Sequence, residues 1–447
     1  MKAESILAQA IAEQATPIVG AHTDFDLLLD RIGDARFVLL GEATHGSHEF
    51  YRIRAELTKR LIREKGFSAI AAEADWPDAY RINRFIRGMR RDTDAASALG
   101  DFQRFPQWMW RNSDILDLVG WLASHNESIA DPALRVGFYG LDLYSLHSSM
   151  ASVLTYLDEH DPKAAQRARD RYGCFDVFGD EPQTYGHAIA AGIASDCEHE
   201  VLTQLVEVLK RRGDMLRRDG VMAEDAQFEA EQNARVVAHA EEYYRMMYVG
   251  GVSTWNLRDT HMADTLDALA EFLERRGRTA KIVVWAHNSH VGDSDAMSHR
   301  AERDEITIGH LCRERHPGDT VLVGFTTYDG TVTAATDWGG NAERKRVRPA
   351  LPGSFEQLFH RTGVPSFLML LDDLGEATAA LHEPRLERAI GVIYRPQTER
   401  WSHYFDVRLA DQLNAVIHVD RTRALEPLER TSQWERGELP ETYPTGL

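Results

Sequence analysis

The sequence predicts an α/β protein: a central mixed, mostly parallel sheet flanked by helices, with an inserted helical cap subdomain. Three observations predict it. Short apolar runs alternate with stretches of helical periodicity. Ionisable residues recur directly after those runs. A long stretch rich in Ala, Glu, Arg and Leu, residues 145–276, carries no strand pattern. Strands that alternate with helices imply a parallel sheet covered on both faces.

The elements follow in order. The first residues, with Glu4 and Glu13 inside an apolar pattern, read as an amphipathic helix. Arg36 to Leu40 is a buried strand that ends at Gly41. Ser47 to Lys65 follows as a helix, with Phe50, Ile53, Leu57 and Leu61 at helical spacing. Ser68 to Ala72 is a second strand, and Pro77 opens the next helix, where its missing N–H does no harm. Arg135 to Tyr139 is a third strand. Residues 145–276 read as four or five helices, with a loop at Tyr172 to Tyr185. Lys281–Ala286, Thr320–Phe325, Ser366–Leu371, Gly391–Tyr394 and Ala415–Val419 complete the strands. Asp329-Gly330, between two Thr-rich segments, is a hairpin signal. The expected organisation is a core of residues 1–144 and 277–447 interrupted by a cap of 145–276. The tail from Pro427 to Leu447, with Pro440 and Pro444, reads as surface chain.

Composition excludes several classes. The chain of 447 residues has 43% hydrophobic and 27% charged residues, the profile of a folded protein. Acidic residues outnumber basic ones by 70 to 51, a net charge of −19. That balance argues against nucleic acid, which requires cationic surface, and against anionic lipid. No apolar run approaches the roughly 20 residues that span a bilayer. Cys174, Cys197 and Cys312 are odd in number and none are in CxxC spacing, so neither a disulfide framework nor a thiolate zinc site is expected. The expected compartment is the cytoplasm, and nothing in the pattern specifies an oligomer.

Ligands of open α/β sheets bind beyond the carboxyl ends of the strands. The first strand is followed by Gly41-Glu42-Ala43-Thr44-His45-Gly46, the second by Glu73, the third by Asp142 and the fourth by His287-Asn288-Ser289-His290. Gly41 and Gly46 bracket the first segment and suggest a tight approach to a ligand. Imidazole titrates near neutrality, so His45 suits water activation, with Glu42 or Glu73 fixing its tautomer. Arg54, two helical turns after Ser47, can face the same carboxylates. Taken singly, each residue has an ordinary structural role as a cap, a packing residue or an ion-pair partner. Their convergence at several strand ends is what points to catalysis. There is no Gly-x-Ser-x-Gly elbow, no phosphate-binding Gly-rich loop and no His-Glu-x-x-His. Glu42, His45, Glu73, His287 and His290 are also the candidate ligands of a mixed nitrogen and oxygen metal site.

The run Leu39-Leu-Gly-Glu-Ala-Thr-His-Gly-Ser-His-Glu49 resembles the signature of the erythromycin esterase family. So do Ala71–Trp76, Phe105–Asn112, Gly137–Asp142, Trp255–Met262, Val284–His290 and Asp337–Gly340. The resemblance implies a hydrolase that opens a carboxylic ester or macrolide lactone with histidine-activated water. It implies His45 as general base, Glu42 and Glu73 as orienting carboxylates, His287 and His290 as a second histidine group, and Arg54 as the arginine of the first helix. Asp142, Trp110 and Arg258, within the matched stretches, are candidates for substrate binding. No cofactor is required on this reading, and a divalent metal is the alternative. The expected partner is a small ester or lactone. A small-molecule binding protein without turnover is the rival class.

Overall fold

The computed structural model describes residues 2–89, 92–179, 181–215, 221–250, 253–371 and 375–437. The sequence reading of Pro440 and Pro444 lies outside the described residues. The chain forms two compact units. The first holds Met1–Phe67, Thr93–Leu122 and Val283–Leu447, and the second holds Ser68–Asp92 and Ala123–Ile282.

Its strands are β1 (Thr16–Pro17), β2 (Phe37–Leu40), β3 (Ala69–Asp75), β4 (Gly137–Asp142), β5 (Ile282–Trp285), β6 (Thr320–Ala334), β7 (Glu343–Val347), β8 (Ser366–Leu370), β9 (Arg385–Arg388), β10 (Tyr404–Val407) and β11 (Ala415–Thr422). In the first unit the order is β1-β8-β11-β6-β2-β5, with β7 beside β6. β2 and β11 flank β6 in parallel, and the β6–β11 ladder is the longest. The edges reverse: β8 runs antiparallel to β11, β1 to β8 and β7 to β6. β9 and β10 form a separate antiparallel pair. The fold class is therefore α/β with a mixed, mostly parallel sheet, as the alternating pattern implies.

Every residue of β2 is buried, because a strand covered on both faces has no solvent side. The helix His48–Lys65 buries Phe50, Tyr51, Arg54, Leu57, Thr58, Leu61 and Ile62, an i, i+3, i+4 stripe. Full burial of each large apolar side chain contributes about 1.5–3 kcal/mol. Gly66, at φ 72°, ends that helix in the left-handed conformation.

Two sequence expectations differ from the fold of this unit. Asp329-Gly330 makes no hairpin. β6 runs straight through it, and β7 supplies the antiparallel partner from Gly330 to Ala334. Gly330 is needed because a Cβ there would sit 2.0 Å from the Thr422 carbonyl oxygen of the neighbouring strand, and its φ is 135°. Gly391–Tyr394 is apolar because it packs, not because it is a strand. Ile390 and Tyr394 are fully buried with Val332, Ala334 and Val347, and only isolated bridges tie Ile390 to Thr44 and Ile393 to Ala335. The strand of this region is β9, whose sequence Arg-Leu-Glu-Arg carries no apolar pattern.

In the second unit β3 and β4 are parallel, with a register shift between Ala72 and Asp75. Pro77 lies in the first turn of the helix Trp76–Ile86, as its chemistry requires. β4 runs to Asp142, three residues past the apolar run that announces it. Helices Leu146–His160, Pro162–Tyr172, Pro182–Ala190, Glu198–Met215, Val221–Val249 and Thr254–Arg275 then follow. They exceed the four or five read from the pattern, and Tyr172–Tyr185 is a 3-10 turn plus a helix start, not an open loop. Leu146, Val153, Leu157, Tyr185, Val208, Val237 and Tyr244 share one buried core.

A disulfide joins Cys174 to Cys197, with Cα atoms 6.0 Å apart, while Cys312 is free and buried. This corrects the cysteine reading, which rested on number and motif; the partners are 23 residues apart in sequence and the fold brings them together. The cysteine count therefore no longer argues for a compartment. Reduction, or Cys197→Ser, is expected to lower the stability of the second unit by about 2–4 kcal/mol. A thermal melt with and without reductant reads the loss, and an unchanged midpoint would refute it. No helix among the described residues is long and apolar enough to cross a membrane.

Candidate active site

The first unit gathers Glu42, His45, Arg54, His287 and His290. All five are buried, with His45 at 7% exposure the most accessible. The order of the array starts from Glu42. Its Oε1 accepts from His45 Nδ1 at 2.8 Å, and its Oε2 accepts from Arg54 at 2.5 Å. Arg54 is held by two rings, 4.6 Å from the centroid of Tyr51 and 4.5 Å from that of Trp285. The Tyr51 hydroxyl in turn donates to the His45 carbonyl at 3.0 Å. Trp285 is fixed by donating its indole N–H to Thr58 at 3.0 Å. A buried carboxylate bearing both a guanidinium and an imidazole has its charge balanced locally.

The hydrogen bond to Glu42 places the His45 proton on Nδ1 and leaves Nε2 as the basic nitrogen. His287 has the opposite arrangement. It caps the one-turn helix Asn288–Val291, and its Nδ1 accepts from the Ser289 N–H at 3.2 Å and faces the Ser289 hydroxyl at 2.8 Å. That assigns its proton to Nε2. The two rings lie 4.8 Å apart. A proton acceptor and a proton donor are thus set side by side by their outer partners. His290, on the same short helix, is buried.

The glycines work differently from the expectation. A Cβ on Gly41 would lie 2.2 Å from Asn288 Oδ1, and one on Gly46 would lie 1.9 Å from the Thr333 carbonyl oxygen. Both permit close approach of protein to protein. The helix start is also engaged, since the His48 N–H donates to the Arg423 carbonyl at 2.8 Å. His48 pairs with Asp114 at 2.9 Å, a structural contact. Trp110, expected at the substrate, is buried against Phe102 with centroids 6.0 Å apart.

The second unit holds Glu73, Asp142 and Arg258 as a group of its own. Glu73 lies at the register shift of β3, and a bulge re-aims a strand side chain. Arg258 donates to Glu73 at 2.7 Å and to both oxygens of Asp142, at 3.0 and 2.6 Å. Its guanidinium lies 5.0 Å from the Tyr144 centroid. Glu73 is therefore occupied by an arginine, and it is Glu42 that orients His45. Behind this group, His239 and His261 share a 2.7 Å contact between their Nδ1 atoms, and burial pushes both imidazoles below their usual range.

The fit of a divalent metal turns on Glu42. Both of its oxygens already serve His45 and Arg54, and a guanidinium beside a ligand carboxylate opposes a second cation. The residues do not fit a metal held by Glu42. Elsewhere, Asp293, Asp295 and His310 have ligand spacing, but Asp293 caps the following turn and already pairs with Arg313 at 3.0 Å.

Sequence reasoning missed Tyr51 and Trp285, which clamp Arg54, and gave Asn288 no role. Tyr51 stands three residues before Arg54 on one helix, a spacing that signals contact. Asn288 and Trp285 sit inside the segment that supplies the histidines.

A carboxylate-oriented histidine beside a second histidine, on an α/β fold, is suited to general acid–base chemistry. The chain is a member of the erythromycin esterase family, whose model matches residues 62–422. That match includes Glu73, Asp142, Arg258, His287 and His290, and begins after Glu42, His45 and Arg54. Erythromycin esterase type II of Escherichia coli is 21% identical over 400 residues, covering 85% of this chain and 90% of that one. The putative hydrolase YbfO of Bacillus subtilis (strain 168) is 22% identical, covering 90% and 86%. Among solved structures, a Bacillus cereus protein superposes with a TM-score of 0.77 at 18% identity, over 95% of this chain and 99% of that one. An erythromycin esterase mutant in its open conformation gives 0.68 at 18% identity, over 95% and 98%. A succinoglycan biosynthesis protein gives 0.75 at 20% identity, over 95% and 99%.

Proposed function

We propose that this protein hydrolyses a carboxylic ester or lactone with water activated by His45. The observation that carries the reading is the Arg54–Glu42–His45 array beside His287. His45 Nε2 accepts a proton from water as the oxygen attacks the ester carbonyl. Glu42 supports the imidazolium that forms. Arg54 balances Glu42 and is too enclosed between Tyr51 and Trp285 to serve the oxyanion. That role falls to the N–H of His287 Nε2, which is also buried in this structure and meets the carbonyl oxygen when substrate enters beside His45. Collapse of the tetrahedral intermediate breaks the bond to the alkoxide, which leaves with the proton held by His45 or one supplied through His290. An ester yields one acid and one alcohol, and a lactone yields a single hydroxy acid, with no covalent enzyme intermediate. The engagement of both Glu42 oxygens supports a reading without a metal.

The name of the Escherichia coli relative supplies the first substrate to test. Erythromycin is incubated with the protein, with and without chelator, and the products are weighed by mass spectrometry. A product one water heavier, made in either condition, is expected. Loss of product with chelator would favour the metal-dependent alternative. Ligand binding without product, for erythromycin and a panel of other esters and lactones, would favour a binding protein and overturn the hydrolase.

A further inference from the structure

One short strand stands behind both halves of the first unit's polar cluster. β9 carries Glu387, and the chain leaves it through Ala389 and Ile390. Ile390 exchanges two hydrogen bonds with the Glu42–His45 loop: its N–H donates to the Ala43 carbonyl at 2.8 Å, and its carbonyl accepts from the His45 N–H at 3.2 Å. Glu387, fully buried, reaches the other half. Its Oε1 accepts from Asn288 Nδ2 at 2.9 Å.

Asn288 is a hub. It lies between His287 and His290, and its orientation is fixed by Phe325: the Phe325 N–H donates to Oδ1 at 3.2 Å, and Nδ2 donates to the Phe325 carbonyl at 2.7 Å. The Asn288 N–H donates to the Glu42 carbonyl at 2.8 Å. Asn288 therefore pins the histidine turn to the loop that carries Glu42 and to β6, and Glu387 is the acceptor that completes its bonding.

The other oxygen of Glu387 faces the Gln412 amide at 2.9 Å. The Gln412 Oε1 is buried with no partner. Amide oxygen and nitrogen are interchangeable by a half-turn. Either orientation leaves one Gln412 amide atom without a partner; in the reversed one Gln412 Oε1 accepts from the O–H of Glu387 as a carboxylic acid. The groups around Glu387 suit an uncharged acid. Asn288 and Gln412 are neutral amides, and Phe405 is its partner across β10. Glu356, on the helix Phe355–His360, is a second buried carboxyl. The neighbouring Arg388 is spent elsewhere, on Tyr404, Glu399 and the carbonyls of Tyr328 and Arg348. Asp411, next to Gln412, pairs with Arg408 and His382. His287 and His290 flank Asn288.

We propose that Glu387 is a positioning residue: as a carboxylic acid it holds Asn288, and through Asn288 it fixes the His287–His290 turn against the Glu42–His45 loop. The inference deepens the hydrolase reading and rests on it. It carries a pH consequence. Burial, with Glu356 nearby, pushes Glu387 up to about 8. Ionisation above that pH removes the O–H donor and places an anion among groups that offer no cation, so the turn loosens and turnover falls.

The test compares wild type, Glu387→Gln and Glu387→Ala by kcat and KM on the hydrolysed ester, from about pH 6 to pH 9.5, spanning the ionisation of Glu387. Each protein also carries ¹³C-labelled histidine, so the His287 and His290 resonances are followed over the same range without any substrate. Glu387→Gln, uncharged at every pH, is expected to keep wild-type kcat near neutrality and to lose the alkaline fall. Glu387→Ala is expected to lower kcat about 10–100-fold with KM little changed, as a misplaced catalytic group does. The wild-type histidine resonances are expected to shift with a midpoint near pH 8, and those of Glu387→Gln to stay flat. An alkaline limb or a histidine shift that persists in Glu387→Gln would overturn the proposal. So would Glu387→Ala with unchanged kcat and unchanged resonances. If Glu387→Ala does not fold, the Gln comparison decides alone. If wild type turns over no ester, the hydrolase reading fails, and the histidine titration still decides the role of Glu387.

Discussion

Replacing His45 with Asn is expected to reduce ester turnover by about 10²–10⁴-fold, the usual contribution of a positioned general base. The Asn side chain is shorter than imidazole but retains an N–H donor for Glu42, whose Oε1 receives the His45 Nδ1–H at 2.8 Å. Glu42 also keeps Arg54, so no buried carboxylate is left unpaired. The local backbone is held independently, because the His45 N–H donates to Ile390 and its carbonyl accepts from Tyr51. What Asn lacks is a basic nitrogen. The loss should therefore fall on kcat, with KM and the melting midpoint close to wild type. Steady-state kinetics on the hydrolysed ester, with a thermal melt of both proteins, checks it. A variant that keeps kcat removes His45 from the chemistry. One that loses kcat only because it has unfolded says that the residue is structural.

How much of this was legible depended on whether the signal was local. Phe37–Leu40 and Ile282–Trp285 are apolar runs of strand length, and both were readable within a residue or two. Glu42 and His45 stand three residues apart and Arg54 twelve from Glu42, so local spacing was enough to suggest that they meet. That Glu42 serves His45 while Glu73 serves Arg258 was not legible. Arg258 is 185 residues from Glu73 and 116 from Asp142, and pattern cannot rank two carboxylates without that knowledge. The role of Glu387 was invisible for the same reason. Its partner Asn288 is 99 residues away, and β9 replaces hydrophobic alternation with Glu387 and Arg388, buried polar groups whose partners lie on other segments. Gly330 shows the converse error. A dipeptide with a strong turn preference was overridden by tertiary packing, because the glycine was needed for close approach to Thr422.

The second unit offers the largest expected loss of stability. Asp225, on the helix Val221–Val249, is fully enclosed with two arginines. Arg87 meets it with two parallel bonds, both 3.1 Å, and Arg276 donates to Oδ1 at 2.5 Å. The side chains of Arg87 and Arg276 are 4% and 5% exposed, so neither can turn to water without moving the helices that carry them. Several of their nitrogens, Arg87 Nε and Arg276 Nε and Nη2, already lack hydrogen-bond partners, and the carboxylate is what offsets their burial. Asp225→Ala removes the one anion and leaves two guanidiniums facing each other in a low-dielectric space. Breaking a buried ion pair in this way costs about 3–5 kcal/mol. Each kcal/mol corresponds to a fall of about 2–4 °C in the melting midpoint of a domain of this size. Asp225→Asn, which keeps hydrogen-bond acceptance but not the charge, should fall between the variant and wild type. Arg276→Met in the Asp225→Ala background should recover part of the loss, because it removes one of the two uncompensated charges. Denaturant unfolding of the four proteins measures the series. A cost below about 1 kcal/mol for Asp225→Ala, the range of an exposed pair, would mean that the arginines reach solvent and that the triad does not hold this unit together.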